Sequence, residues 1–175
     1  AIDYYKDVDG FHVKNIGELA LNNRIPTFIP CTSLSCLKIL ESINIELKGK
    51  NVTIIGKSNI VGLPLNLLLL KKGCTVTVCH IDTIDLPSHT KNADIIISAC
   101  GQPKMIKKEW IKEKSIILDV GINYIEDSSK KSGRKLVGDV DFDNVKEKAS
   151  YITPVPGGVG PLTVAMLISN TLKAY

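Results

Sequence analysis

Asn51-Val52-Thr53-Ile54-Ile55-Gly56-Lys57-Ser58-Asn59-Ile60-Val61-Gly62 is the stretch on which the fold turns. A β-branched run stops at a glycine, passes through a short polar turn, and is followed by the apolar segment Pro64 to Leu70. β-Branched residues suit a pleated strand and the leucine-rich segment suits a buried helix. Thr75 to Cys79 is again short and β-branched, so the region reads strand, helix, strand. Two later runs, Asp94 to Ala99 and Ser115 to Val120, lack the alternation of a half-exposed strand. The strands are therefore expected to be buried on both faces, which calls for parallel pairing with crossover helices: an α/β domain.

Upstream of this core, Thr32 or Ser33 is placed to cap a helix in which Cys36, Ile39, Leu40 and Ile43 recur at i, i+3, i+4 and i+7. That stripe would cover the sheet, leaving Glu41 and Ser42 outside it. Downstream, Asp127 to Lys135 reads as an exposed hairpin or loop and Pro161 to Leu172 as a closing helix. Between them lies Tyr151-Ile152-Thr153-Pro154-Val155-Pro156-Gly157-Gly158-Val159-Gly160-Pro161-Leu162-Thr163, too rich in Pro and Gly to be an element interior. Its stiffness and bare backbone suit a flat polar ligand. A simple connector, with Pro161 in the first turn of the next helix, would explain the same composition.

A chain of 175 residues, 44% hydrophobic and 23% charged, has the size and composition of one packed domain and argues against disorder. The formal charge of +4 is modest, and the lysines of 104–114 and 130–135 are interleaved with other residue types, as on solvated faces. No nucleic-acid partner is called for. The five cysteines, Cys31, Cys36, Cys74, Cys79 and Cys100, form no C-x-x-C pair and stand near no His at ligand spacing. They read as buried thiols in a reducing compartment, with no metal site. No apolar run approaches the ~20 residues of a membrane span, and the first residues carry no signal-peptide pattern. A cytoplasmic location is expected, with a mitochondrial one as the alternative, and no membrane partner.

Gly56 to Gly62, between strand and helix, sits where a dinucleotide pyrophosphate binds: backbone N–H groups and the helix dipole attract an anion there. Lys57 and Ser58 add a cation and a hydroxyl. The G-x-G-x-x-G spacing is absent, and a purely structural turn would use the same two glycines. The end of the second strand, Cys79-His80-Ile81-Asp82-Thr83, is where the adenosine ribose would lie. Asp82 there favours NAD by accepting from the 2′-hydroxyl and repelling a 2′-phosphate, whereas Lys57 favours NADP. His80 reads equally well as a packed histidine at a strand end.

Seven blocks in order resemble the bifunctional methylenetetrahydrofolate dehydrogenase/methenyltetrahydrofolate cyclohydrolases. They are Lys6-Asp7-Val8-Asp9-Gly10-Phe11, Pro30-Cys31-Thr32, Gly56 to Gly62, Gly101-Gln102-Pro103, Asp119-Val120-Gly121-Ile122-Asn123, Val137-Gly138-Asp139-Val140 and Tyr151 to Thr163. The resemblance spans nearly the whole chain. It implies a Rossmann-like parallel sheet with flanking helices, binding NADP, or NAD given Asp82, in an enzyme that oxidises 5,10-methylenetetrahydrofolate and hydrolyses the methenyl product to 10-formyltetrahydrofolate. It places Thr32, Gly56, Lys57, Ser58, Ile60, Ile81, Asp82, Val120, Gly121, Ile122 and Thr163 around the cofactor. It assigns Pro156, Gly157, Gly158 and Gly160 to the folate side, and gives Asp9 the role of holding the pterin. An Asp-Gly pair is also a common turn.

The family's catalytic lysine, in a Tyr-x-x-x-Lys arrangement, has no counterpart here: Tyr4 and Tyr5 are followed at the fourth position by Val8 and Asp9. The expectation is a cofactor-binding domain over 1–175 whose catalytic domain precedes Ala1, with 1–15 as the interdomain edge and 161–175 returning toward the absent part. Such a chain would lack the general acid/base of cyclohydrolysis. A homodimer is also implied. A non-enzymatic dinucleotide-binding module and a different Rossmann dehydrogenase are the alternatives.

Overall fold

The computed structural model describes residues 2–175; Ala1, at the head of the segment read as an interdomain edge, lies outside them. In chain order the elements are α1 (Val13–Ala20), α2 (Cys31–Ser42), β1 (Asn51–Ile55), α3 (Gly62–Lys71), β2 (Thr75–Cys79), α4 (Leu86–Lys91) and β3 (Ile95–Ser98). They continue with β4 (Ile116–Asp119), β5 (Asn123–Glu126), β6 (Arg134–Val137), α5 (Phe142–Val145), β7 (Tyr151–Ile152) and α6 (Val159–Ala174). Five strands form one parallel sheet in the order β2-β1-β3-β4-β7, and β5 and β6 form a separate antiparallel hairpin. This is the Rossmann-like arrangement expected.

Strand alternation divides the core into two layers. Val52, Ile54, Ile95, Ile97 and Leu118 face α2 and α3 on one side of the sheet. Ile55, Ile96 and Ile117 face the other side, against Ile106, Ile111 and Val145. Because both layers are apolar, β1, β3 and β4 read in the sequence as continuous hydrophobic runs. Complete burial of an isoleucine such as Ile54 or Ile97 contributes about 2 kcal/mol relative to exposure.

The expectation of strands buried on both faces fails at β2. It is the sheet edge, with Thr75 and Thr77 exposed, and its threonines are what an open edge tolerates. The capping expectation fails as well: Pro30 is the N-cap of α2 and makes no side-chain cap bond. Ser33, fully buried, instead donates its hydroxyl to the Val61 carbonyl at 3.0 Å and ties α2 to the turn before α3. The predicted stripe is shifted toward Leu37, since Cys36, Leu37 and Leu40 are buried while Ile39 and Ile43 are only partly so. Glu41 is partly buried too, drawn in by ion pairs with Lys38 and Lys72.

Asp127 to Gly133 forms the exposed turn of the β5–β6 hairpin, as read. The closing helix starts two residues before Pro161, because proline is accommodated in a first turn whose N–H groups lack partners in any case. Asn170 of α6 is buried and donates to the carbonyls of Val8 at 2.8 Å and Ile29 at 3.2 Å, which fastens the amino-terminal segment to the body. All five cysteines are free, and four of them are buried. Lys107, Lys108 and Lys112 pair at the surface with Asp141, Glu147 and Asp94.

Candidate functional site

β1 leads into α3 on one face of the sheet, whereas the chain leaving β3 passes to the opposite face, where Ile106 and Ile111 pack. The carboxyl ends of these two neighbouring strands therefore part, and a crevice opens at the switch point. A cavity of about 460 Å³ lies there, lined by Gly56, Lys57, Ser58, His80, Ile81, Ala99, Cys100 and Gln102 among others. Gly56 has φ +122°, and a Cβ on it would run into the Ala99 carbonyl. A Cβ on Gly62 would run into the Gly56 carbonyl. The turn thus lies as close to β3 as bare backbone permits.

Within the turn, Ser58 is committed to its own loop: its Oγ accepts from the Val61 N–H at 3.2 Å and its carbonyl from the Leu63 N–H at 3.0 Å. The N–H groups of Lys57, Ser58, Asn59 and Ile60 have no protein acceptor among the described residues. Unpaired donors at the start of a ten-residue helix, beside a lysine, fit the pyrophosphate of a dinucleotide.

A second cavity, about 600 Å³ and mostly apolar, opens at the ends of β4 and β7. Thr32, Val61, Asp119 to Ile122, the loop from Pro154 to Gly158 and the first turns of α6, Val159 to Pro161 and Thr163, line it. The Val155–Pro156 peptide is cis. Val159 is buried and anchors the loop in the core, while Thr163 donates its hydroxyl to the Val159 carbonyl at 3.1 Å. Lys57 and Ser58 line the first cavity and Val61 the second, so one turn borders both.

Of the residues expected near a cofactor, the structure brings Gly56, Lys57, Ser58 and Ile81 to the first cavity and Thr32, Val120, Gly121, Ile122 and Thr163 to the second. Pro156, Gly157, Gly158 and Gly160 line the second cavity as well. Ile60 is exposed and lines neither. Asp82 also lines neither; its carboxylate stands 3.8 Å from Lys57 Nζ and 3.3 Å from His80 Nδ1 at the mouth of the first. Asp9 is exposed and lines neither cavity; it stands beside Cys31, next to Thr32 of the second cavity, and the Cys31 thiol is pushed up by burial and then by the Asp9 charge. The neighbouring Asp7 is the structural acid of that block. It accepts from the N–H groups of Phe11 and His12 and from Asn15 Nδ2, at 3.2, 2.8 and 2.8 Å.

Two carboxylates that spacing did not single out build the floor of the site. Asp139, fully buried, accepts from the N–H groups of Cys100, Gly101 and Gln102 at 2.8, 3.3 and 3.0 Å, and from Ser98 Oγ and Asn123 Nδ2 at 3.1 and 2.9 Å. Asp119 accepts from the N–H groups of Gly121, Asp139 and Val140 at 3.0, 2.9 and 2.9 Å. A Cβ on Gly121 would meet the Asp139 carboxylate and a Cβ on Gly138 the Asp119 carboxylate, so each acid seats on a glycine of the other's block. The Asp-x-Gly and Gly-Asp spellings of those blocks were the available signal, but the pairing spans nearly twenty residues.

Burial, with the Asp139 charge next to it, pushes the Asp119 carboxyl up to about 6 despite its three N–H donors. Its folded pKa exceeds the ~3.9 of an unfolded Asp, so the native state holds the extra proton between those values. Stability from this group is then full below pH ~4 and falls as pH rises to about 6. Urea unfolding of the wild type and of Asp119→Asn between pH 4 and 7 should show the wild type losing ground to the variant as pH rises. A pH-independent difference would rule out this titration.

Residues 30–175 match the family described as tetrahydrofolate dehydrogenase/cyclohydrolase, NAD(P)-binding domain. The mitochondrial C-1-tetrahydrofolate synthase of Saccharomyces cerevisiae is 59% identical over 174 residues, which are 99% of this chain and 18% of that protein. The bifunctional protein FolD of Prosthecochloris aestuarii is 52% identical over the whole chain and 61% of its own length. Among solved structures, the Trypanosoma brucei methylenetetrahydrofolate dehydrogenase-cyclohydrolase complexed with NADP and an inhibitor superposes with a TM-score of 0.94 at 43% identity, over 99% of this chain and 59% of that one. The chain thus spans about three-fifths of the length of the FolD proteins it matches. No helix among the described residues is long and apolar enough to cross a membrane. With the match running from Pro30 to Tyr175, through the Gly56 turn and the Pro154 to Pro161 loop, the chain belongs to the tetrahydrofolate dehydrogenase/cyclohydrolase family and carries its NAD(P)-binding domain.

Proposed function

We propose that the chain binds NADP, and NAD more weakly, along the carboxyl edge of its sheet and serves as the cofactor-binding part of a longer methylenetetrahydrofolate dehydrogenase/methenyltetrahydrofolate cyclohydrolase. The observation that carries this is the pair of cavities bordered by one glycine turn, large enough together for an extended dinucleotide. Backbone N–H groups of Lys57 to Ile60 hold the pyrophosphate. The adenosine end lies by Lys57, Ser58 and Ile81, and the nicotinamide end by Thr32, Val120 to Ile122 and Thr163. The bound nicotinamide supplies the hydride acceptor for oxidation of 5,10-methylenetetrahydrofolate.

Such a transfer needs two flat rings held face to face at near contact. Pro156, Gly157, Gly158 and Gly160 form one wall for the folate and shield it from water. Asp9 accepts from the pterin amino and N–H groups as a bidentate acceptor. Hydrolysis to 10-formyltetrahydrofolate requires an acid/base from the rest of the longer protein. The exposed apolar residues Val164, Ile168 and Leu172, at i, i+4 and i+8 on α6, are the face that meets that part. The family resemblance also supports assembly as a homodimer and a soluble location, in the cytoplasm or an organelle.

Calorimetric titration of the purified chain with NADP and NAD tests the reading. Saturable 1:1 binding is expected, with thermal stabilisation of about 2.7 kcal/mol when ligand is a hundredfold above Kd. Binding of neither dinucleotide by the folded chain would overturn it.

A further inference from the structure

Among the described residues, Asp119 is the only ionisable one that lines the second cavity, and no lysine or arginine stands on its walls. Asp119 ends β4 and is buried. Its carboxylate is held on both oxygens: Oδ1 accepts from the Gly121 and Asp139 N–H groups and Oδ2 from the Val140 N–H. Its own N–H donates to Thr153 Oγ1 at 2.8 Å, which ties it to the chain leaving β7. The other titratable groups of this network are Asp139 and Cys100, whose thiol donates to Asp139, and neither lines the second cavity. The start of α6 on the facing wall carries no ionisable side chain and adds only a fixed dipole. A fixed acid thus borders a mostly apolar space with no counter-charge inside it.

We infer that Asp119 is a specificity-determining residue for the redox state of the cofactor: its carboxylate, acting through space, favours the cationic oxidised nicotinamide over the neutral reduced ring. This preference deepens the proposed dinucleotide binding and rests on it. Hydride transfer breaks a C–H bond of the one-carbon bridge, forms one at nicotinamide C4 and moves the positive charge from the nicotinamide to the folate. The two forms of the cofactor therefore differ by one charge at the end that the second cavity is proposed to hold. In a site of low dielectric, a buried carboxylate reads that difference without touching the ring. The N–H donors around Asp119 and the α6 dipole act in both complexes, so they cancel in the ratio of affinities. The preference has a pH window, because burial first, and the Asp139 charge last, push the Asp119 carboxyl up to about 6. Above that value the carboxylate is charged and the preference is full; as pH falls through it, protonation removes the preference.

The test is titration of the full chain and of Asp119→Asn with oxidised and reduced NADP at pH 8 and pH 5.5, folding being checked by circular dichroism. Both forms carry the same phosphates, so phosphate titration drops out of the ratio. At pH 8 the oxidised-to-reduced affinity ratio of the wild type is expected to exceed that of Asp119→Asn about tenfold. At pH 5.5 the wild-type ratio should be lower by about threefold, while the variant's ratio stays constant. A folded variant that weakens both forms equally overturns this inference alone and leaves Asp119 a structural role. A wild-type ratio that is flat between the two pH values also overturns it, and decides the matter where the variant does not fold. Binding of neither form by the folded wild type overturns the dinucleotide reading and this inference together.

Discussion

Asp139→Ala is expected to destabilise the domain by at least about 4 kcal/mol. The carboxylate is fully buried and accepts from three backbone N–H groups and three side-chain donors, Ser98 Oγ, Cys100 Sγ and Asn123 Nδ2, so its removal takes away the one acceptor that ties the buried end of β3 to the partly exposed segment after it. Each buried unsatisfied donor costs about 1–3 kcal/mol, and only part of that is recovered by relaxation or entering water. Against a total stability of about 5–15 kcal/mol, the variant should be marginal at best. The damage should also be directed. The donors belong to the Ser98 to Gln102 segment, which walls the first cavity, and to Asn123 at the base of the hairpin. Urea unfolding checks the magnitude, and hydrogen exchange at Cys100 to Gln102 checks the location. Asp139→Asn keeps one acceptor oxygen and should cost roughly half as much. A loss below about 1 kcal/mol would show that the network does not hold the cleft.

Gly56→Ala is expected to cost about 3 kcal/mol and to weaken dinucleotide binding at least tenfold. Two effects add at this position: φ of +122° is strained for any residue with a side chain, and the new Cβ would collide with the Ala99 carbonyl on β3. Relief requires the turn to move away from β3, which displaces the unpaired N–H groups of Lys57 to Ile60 from the anion they are arranged to meet. Gly49→Ala separates the two effects, because Gly49 has φ +78° but open space where its Cβ would stand. That control should cost about 1 kcal/mol and leave cofactor affinity intact. Equal losses at both positions would remove the argument that close approach to β3 shapes the site.

The sheet was legible because burial on both faces makes β1, β3 and β4 uniformly apolar, a signal that survives in one dimension. β2 was legible as a strand but not as an edge, since Thr75 and Thr77 leave its place in the sheet open. The Gly56 and Pro154 to Pro161 segments announced specially shaped backbone by composition alone. Their joint use could not be read, because β1 and β7 lie more than ninety residues apart in the chain and share an edge only through the sheet order. Asp119 and Asp139 escaped for the opposite reason. A carboxylate next to glycine looks like a turn residue until burial shows how many donors it satisfies.

By itself, then, the sequence determined the element types, the parallel α/β class, the bare-backbone turns and the family, because these depend on local residue chemistry and on ordered blocks. The tertiary structure alone decided which blocks meet: that the Gly56 turn borders two cavities, that Asp119 and Asp139 seat on each other's glycines, and that Lys57 pairs with Asp82. Those contacts join residues about twenty or more positions apart. Their geometry follows from strand order and crossover direction, which no local pattern encodes.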